Sequence, residues 1–361
     1  MEAAQYPLYP FDVSLHRIKK NWGGWPGKVG EIWSLSGPPY ESLVLNGPLA
    51  GRWLTEIVGD FQQKVLGQGV ELDPREPFPF LIKFISTAKD APVQVHPDDA
   101  YTVRKRLPTV GLDKVWYILD AKPGGLVYLG FTDHINPAQI MEAVQQKSIH
   151  KMMNAIPVKR GDLYTVPAGR IHAIGKGIRL MEVRRHSDVT YQVLDWAREE
   201  TGGDESGPLP DEALEVLSLE PVSPRTIPQI SVGSGENRLE YLACTPRFLL
   251  RRLMIKDTLE ISHAGRRMLV YTGVKGSGWL RWGFSDFYSY IQPYQSILVP
   301  AVPQELYFET GGGLEVVETS VPDIAGETLN EMLELGIPKE RIILLGGDDY
   351  KSILRGCLLS S

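Results

Sequence analysis

The sequence predicts a mainly β protein built as a sandwich, jelly roll or barrel, and three observations carry that prediction. Apolar segments run only five to eight residues, they are rich in β-branched and aromatic types, and Gly, Pro or Asp bounds them. With 36 Gly and 27 Pro in 361 residues, turn signals recur too often to leave room for many long helices. Little helix separates successive segments, so the strands are expected to pair antiparallel rather than in βαβ units.

The first series of strands is FPFLIKFI (78–85), VWYIL (115–119), GLVYLGF (125–131), GIRLMEV (177–183) and VTYQVL (189–194). One helix is expected over 137–147, with Asn136 as its N-cap and Pro137 at its first position, and a shorter one over 211–217. The stretch EETGGDESGPLPDE (199–212) is acidic, rich in Gly and Pro and almost without apolar anchors, the composition of a linker or loop. The β pattern then resumes in FLLRRLMI, MLVYTGV, GWLRWGF, SILVP, ELYFET and GLEVVET. The expected organisation is an N-terminal β domain carrying the chemistry (1–198), a linker with a short helix (199–218), a C-terminal β domain (219–322) and a tail (323–361). Within the tail, GETLNEMLELG reads as a helix ended by Gly336, followed by an apolar strand IILL.

Composition narrows the class of function. Hydrophobic residues are 43% and charged residues 23%, as in a folded soluble domain. Lys and Arg number 38 against 44 Asp and Glu, a net charge of −6 that advertises no nucleic-acid partner. The two cysteines, Cys244 and Cys357, form neither a CxxC pair nor a disulfide framework, which points to a reducing compartment. No apolar run approaches the ~20 residues of a spanning helix, and the N-terminus lacks the apolar core of a signal peptide. No P-loop, GxGxxG or GxSxG motif is present. A cytoplasmic enzyme acting on a small molecule, without membrane contact, is the expectation, and the sequence leaves the oligomeric state open.

Two segments carry chemistry. In VQVHPDD (93–99), strand alternation puts Gln94 and His96 on one face and Val93 and Val95 on the other. An imidazole and an amide oxygen converging on one face suit a zinc ion; His96 capping a turn through the following PDD is the plain alternative. In RGDLYTVPAGRIHAIGKG (160–177), Gly161-Asp162 is a turn, 163–166 a strand and Pro167-Ala168-Gly169 a second turn. The chain then returns as a hairpin strand bearing His172. Arg170, Arg184, Arg185 and Arg198 are the cations near this strand and the turn after it.

Taken together, VQVHPDDAY (93–101), VWYILDA (115–121), GDLYTVPAGRIHAIGKG (161–177) and SDVTYQVLDWAR (187–198) resemble the type I mannose-6-phosphate isomerases in their short bacterial form. So do NWGG (21–24), GEIWSLS (30–36), FPFLIKFI and VYLGF (127–131), and the likeness extends over roughly residues 10–320. The resemblance implies tandem cupin domains and an aldose–ketose isomerase that interconverts mannose 6-phosphate and fructose 6-phosphate, with one zinc per chain stabilising an enediol. It places the metal ligands on Gln94, His96, His172 and position 114, and makes Ser34, Ser36 and Lys83 candidate phosphate contacts because they lie in matching runs.

This chain departs from the pattern at three positions. Lys114 stands where the family has its ligand Glu, Leu112 where it has a substrate-site Lys, and Gln192 where it has an arginine given a catalytic role. Arg184 and His186 stand where the family has Gln and Asn. An ammonium beside a divalent ion is repelled, so either Lys114 turns to solvent, or its pKa falls, or the ammonium occupies part of the metal's place. Asp113 is a substitute ligand only if a bulge turns it inward. Arg184 is expected to make up, from the neighbouring strand, for the charge that Gln192 lacks. The expected function is a metal-dependent sugar-phosphate isomerase. Two others stand beside it: a cupin that binds a sugar phosphate without isomerising it, and a metal-free enzyme built around Lys114.

Overall fold

A computed structural model describes residues 8–196, 209–233, 235–283 and 288–360. By its internal contacts the chain divides into two units. One comprises Arg17–Ile32 with Ile82–Thr226, the other Met1–His16 with Trp33–Leu81 and Ile227–Ser361. This division runs differently from the boundaries drawn from composition, because residues 33–81 group with the C-terminal strands. Part of the expected linker, 199–208, lies outside the described residues.

In the first unit two antiparallel sheets enclose the core. The six-stranded sheet runs in the order His16–Lys19, Val29–Leu35, Leu81–Ser86, Ile178–Arg184, Lys114–Ala121, Leu163–Val166. The five-stranded sheet runs Tyr191–Leu194, Val93–Val95, His172–Ile174, Leu126–Phe131, Met153–Pro157. Ile85, Trp116, Ile118, Tyr164, Val166 and Leu180 from the one meet Val127, Leu129 and Ile174 from the other in a single buried cluster. Alternate residues of each strand therefore point between the sheets. The outer face of the five-stranded sheet packs Val93, Val95, Ala173 and Val193 against Ile140, Ala143 and Val144 of the helix Pro137–Gln145 and Ala213 of the helix Asp211–Val216. The first of these helices opens on a capping box in which Asn136 Oδ1 accepts from Gln139 N and Gln139 Oε1 from Asn136 N.

The expected hairpin at 163–174 is not one. Leu163–Val166 pairs with Lys114–Ala121 in the six-stranded sheet, whereas His172–Ile174 pairs with Val93–Val95 and Leu126–Phe131 in the other. The turn between them lifts the chain from one sheet to its partner. Gly169 takes φ +79 there, a conformation that disfavours residues with a Cβ. The turn is pinned by Asp113, whose Oδ1 accepts from Ala168 N at 2.9 Å. Asp113 is thereby committed to the backbone, and the pairing of Lys114–Ala121 with Ile178–Arg184 is regular around it. No bulge turns it inward.

The second unit repeats the plan with a seven-stranded sheet, Leu269–Gly276 and Leu314–Ser320 near its centre, and a four-stranded sheet led by Thr258–Ala264. Leu253, Tyr271, Ile297 and Val316 from the larger sheet pack on Leu280, Ile291, Leu306 and Phe308 from the smaller. Both units are thus jelly-roll sandwiches, the tandem cupin arrangement expected from the sequence.

Three helices, Leu329–Glu334, Lys339–Leu344 and Gly347–Ser360, cover the outer face of the seven-stranded sheet. The IILL run expected as a strand lies in the second of them. Its buried residues Ile342 and Leu345 are three apart, and Leu354 and Leu358 of the last helix are four apart, both helical spacings. Among the described residues no helix is long and apolar enough to cross a membrane.

Cys244 and Cys357 both lie in this tail interface and neither is in a disulfide. Burial pushes the Cys244 thiol up to about 12, only partly offset by Arg267. Since the thiolate is the reactive form, iodoacetamide at pH 8 is expected to label half-buried Cys357 at least ~100-fold faster than Cys244 in the native protein. Peptide mapping by mass spectrometry checks this; equal labelling rates without denaturant would show that the tail does not seal Cys244.

Candidate functional site

The chemistry predicted from the sequence gathers at one end of the first unit's interior, and strand registry puts it there. Lys114 pairs with Arg184 and Trp116 with Glu182 across adjacent strands, so all four side chains share the inner face of the six-stranded sheet. On the facing sheet Gln94 lies opposite His172 on one side and Gln192 on the other, which sets those three in a cross-strand row. His96 stands one residue past the end of Val93–Val95, where its carbonyl accepts from Gly169 N at 2.8 Å.

The centre of the site is Lys114. Its Nζ lies 2.9 Å from His96 Nε2 and 3.0 Å from His172 Nε2, with Glu182 Oε2 at 3.4 Å. The far nitrogen of each imidazole faces a backbone carbonyl, His96 Nδ1 that of Val189 at 3.1 Å and His172 Nδ1 that of Arg170 at 2.7 Å. A carbonyl oxygen only accepts, so both Nδ1 atoms carry the proton. Both Nε2 lone pairs then point at Lys114. Burial holds both imidazoles well below their ordinary pKa, and the Lys114 charge adds to this, so they stay neutral.

Three acceptors around one nitrogen call for three N–H bonds, and the ammonium supplies them. Burial pulls the Lys114 pKa down to about 7, with Arg184 and Lys83 adding to the fall and Glu182 opposing it. The Glu182 carboxylate is as deeply buried. Burial alone would raise its pKa, but Lys114, Lys83, Arg184 and the Trp116 indole together hold it well below the usual carboxylate range. Trp116 Nε1 donates to Glu182 Oε2 at 2.7 Å, and Lys83 Nζ stands 3.3 Å from Oε1. Lys83 also reaches Glu31 at 3.4 Å, and Lys20 closes the chain on Glu31 at 3.9 Å. Cations and carboxylates thus alternate from the surface to the imidazoles.

A cavity of about 40 Å³ opens on this cluster, lined by Trp22, Lys83, Gln94, Lys114, Glu182 and Arg184 among others. It has room for a few water molecules rather than a sugar ring. Three cations face two carboxylates on its walls, so the local balance favours an anion.

The remaining sequence candidates divide by position. Arg184 is buried at the cluster and donates through Nη2 to the Ser187 carbonyl. It lies in the six-stranded sheet and Gln192 in the five-stranded one, so the two are not on neighbouring strands, contrary to the expectation from sequence. Arg185, beside it in sequence, instead grips Asp99 through two contacts of 2.8 Å. Leu112 is fully buried and packs as an apolar residue. Ser36 belongs to the other unit, where its Oγ donates to the Tyr40 carbonyl and its N–H to Ser42 Oγ. Arg198 lies outside the described residues. Among the described residues no group of three or more His, Cys, Asp and Glu could hold a metal ion.

Glu31, Glu182 and Trp116 were not among the residues singled out from sequence. Glu182 had a legible signal, being a carboxylate two residues before Arg184 on a mostly apolar strand, so both point inward. Its energetic weight is testable. Glu182→Gln leaves two buried ammonium groups without their shared carboxylate, and stability is expected to fall by about 3 kcal/mol in denaturant titration. A loss below about 1 kcal/mol would show that the carboxylate contributes little to the fold.

No family model matches the chain. A Bacillus subtilis protein named probable mannose-6-phosphate isomerase is 31% identical over 212 residues, which are 58% of this chain and 65% of that protein, just under two thirds of its length. The mannose-6-phosphate isomerase of Streptococcus mutans is 26% identical over 320 residues, 85% of this chain and 97% of that one. Among solved structures, the mannose 6-phosphate isomerase from Bacillus subtilis superposes with a TM-score of 0.75 at 24% identity, covering 86% of this chain and 99% of the other. A zinc-bound mannose 6-phosphate isomerase gives a TM-score of 0.64 at 13% identity over 87% of this chain and 99% of that one. The chain is thus similar in sequence to proteins named mannose-6-phosphate isomerase and shares the fold of solved ones.

Proposed function

We propose that the protein is an aldose–ketose isomerase of sugar phosphates, with mannose 6-phosphate and fructose 6-phosphate as the first pair to test. The observation that carries the reading is the convergence of Lys114, Lys83 and Arg184 with Gln94 and His172 on one cavity, in a chain whose curated relatives bear that name. The reaction shifts a proton between C2 and C1 through an enediol and needs no external oxidant or reductant. What it demands of the protein is a cation facing the oxygen on which charge develops, cations for the phosphate, and a base to carry the proton, for which Glu31 and Glu182 are the carboxylates on the cavity wall.

One solved neighbour is zinc-bound, and the family resemblance puts the metal ligands on Gln94, His96 and His172. In this chain the donor set does not fit a divalent ion while Lys114 is held between the two imidazoles, both of whose lone pairs it consumes. Lys114 is itself the buried cation. A substrate oxygen arriving from the cavity would displace its longest contact, that with Glu182 at 3.4 Å, and leave the two imidazole bonds to orient the ammonium. Arg184 and Lys83 are the cations placed to receive the substrate's negative charge, while Gln192, in the row with Gln94, offers only neutral hydrogen bonds.

A coupled assay following fructose 6-phosphate formed from mannose 6-phosphate tests the reading. Turnover is expected from the wild type, with kcat falling ~10²–10³-fold in Lys114→Ala, the usual cost of removing one preorganised stabiliser of developing charge. No conversion of mannose 6-phosphate or other hexose phosphates at high enzyme concentration would overturn it. Binding without turnover would then favour a sugar-phosphate-binding cupin.

A further inference from the structure

We propose that the Lys114 ammonium is a built-in replacement for the divalent ion, so that the folded protein takes up no zinc at His96 and His172. Three observations support this. First, the ammonium nitrogen sits where both imidazole Nε2 lone pairs converge, at 2.9 and 3.0 Å. A zinc ion there would need the same two lone pairs at ~2.0–2.1 Å. Second, the anionic ligand has gone: beyond the imidazoles, the resemblance leaves only the neutral amide of Gln94, while Glu182 Oε2 accepts from Trp116 and its Oε1, without a hydrogen-bond partner among the described residues, faces the Lys83 ammonium at 3.3 Å.

Third, the exchange conserves charge. A divalent ion with one carboxylate ligand contributes a single net positive charge, and so does Lys114 in its ammonium form, the form that its three acceptors demand. The surrounding groups, Glu31, Lys83, Glu182 and Arg184, therefore meet the same local charge whether the site holds ion and carboxylate or ammonium. Losing the carboxylate alone, or the ion alone, would unbalance the charge of a buried network. Replacing Glu by Lys achieves both changes in one residue. It also satisfies the second nitrogen of each histidine, so the imidazole orientations set by the Val189 and Arg170 carbonyls survive.

The inference rests on the donor set and does not require the isomerase reading. Untagged wild-type protein is incubated with excess zinc, desalted and analysed by inductively coupled plasma mass spectrometry. Less than ~0.1 zinc per chain is expected, because a tetrahedral site needs ligands that Lys114 occupies. Lys114→Glu under the same treatment is expected to retain about one zinc per chain and to gain thermal stability that a chelator removes. About one chelatable zinc per wild-type chain would overturn the proposal, and that measurement decides whether or not Lys114→Glu folds. A zinc-free protein that fails the isomerase assay contradicts only the functional reading, and a zinc-loaded one that passes it contradicts only this inference.

Discussion

A single nitrogen with three N–H bonds, all directed at buried acceptors, organises the interior of the first unit. Lys114 ties His96 and His172, which belong to one side of the sandwich, to Glu182, which belongs to the other. Each partner is fixed from behind: the imidazoles by the Val189 and Arg170 carbonyls, the carboxylate by the Trp116 indole. An unpaired polar group at such depth costs several kcal/mol, so no member of the set can be changed alone without leaving a buried charge or lone pair unanswered. The strand order of both sheets, and the turn pinned by Asp113, are what bring these residues to one point.

The same constraint bears on the chemistry. A low-dielectric pocket with excess positive charge is the setting in which a carbonyl oxygen can accept negative charge, whatever supplies the cation. A metal supplies it through coordination, whereas an ammonium does so through oriented N–H bonds and Coulomb attraction. Orientation then becomes the protein's task, and two neutral imidazoles accepting from Lys114 perform it. The carboxylates Glu31 and Glu182 keep the neighbouring cations from repelling one another out of the site.

Much of this was legible in the sequence because it depends on strand alternation. The segments expected as strands over 78–85, 115–119, 125–131, 177–183 and 189–194 each contain one, although 78–80 and 189–190 lie ahead of theirs, and Gln94, His172 and Lys114 face one cavity. What was not legible depends on which strand lies beside which. Glu182 matters through Trp116 and Lys114 across the register, and no single strand contains that information. The supposed hairpin at 163–174 fails for a related reason: a tight turn joins two strands equally well within a sheet or between sheets, and only their partners distinguish the cases. The IILL run was ambiguous in itself, since four apolar residues fit either period; its packing against the seven-stranded sheet decides for helix.

The most direct test of the central claim is a crystal structure of the wild type grown with zinc, with anomalous data collected at the zinc absorption edge. The account predicts no anomalous peak between His96 and His172, and Lys114 Nζ within hydrogen-bond distance of both Nε2 atoms. A strong peak there, with the Lys114 side chain swung aside, would contradict it.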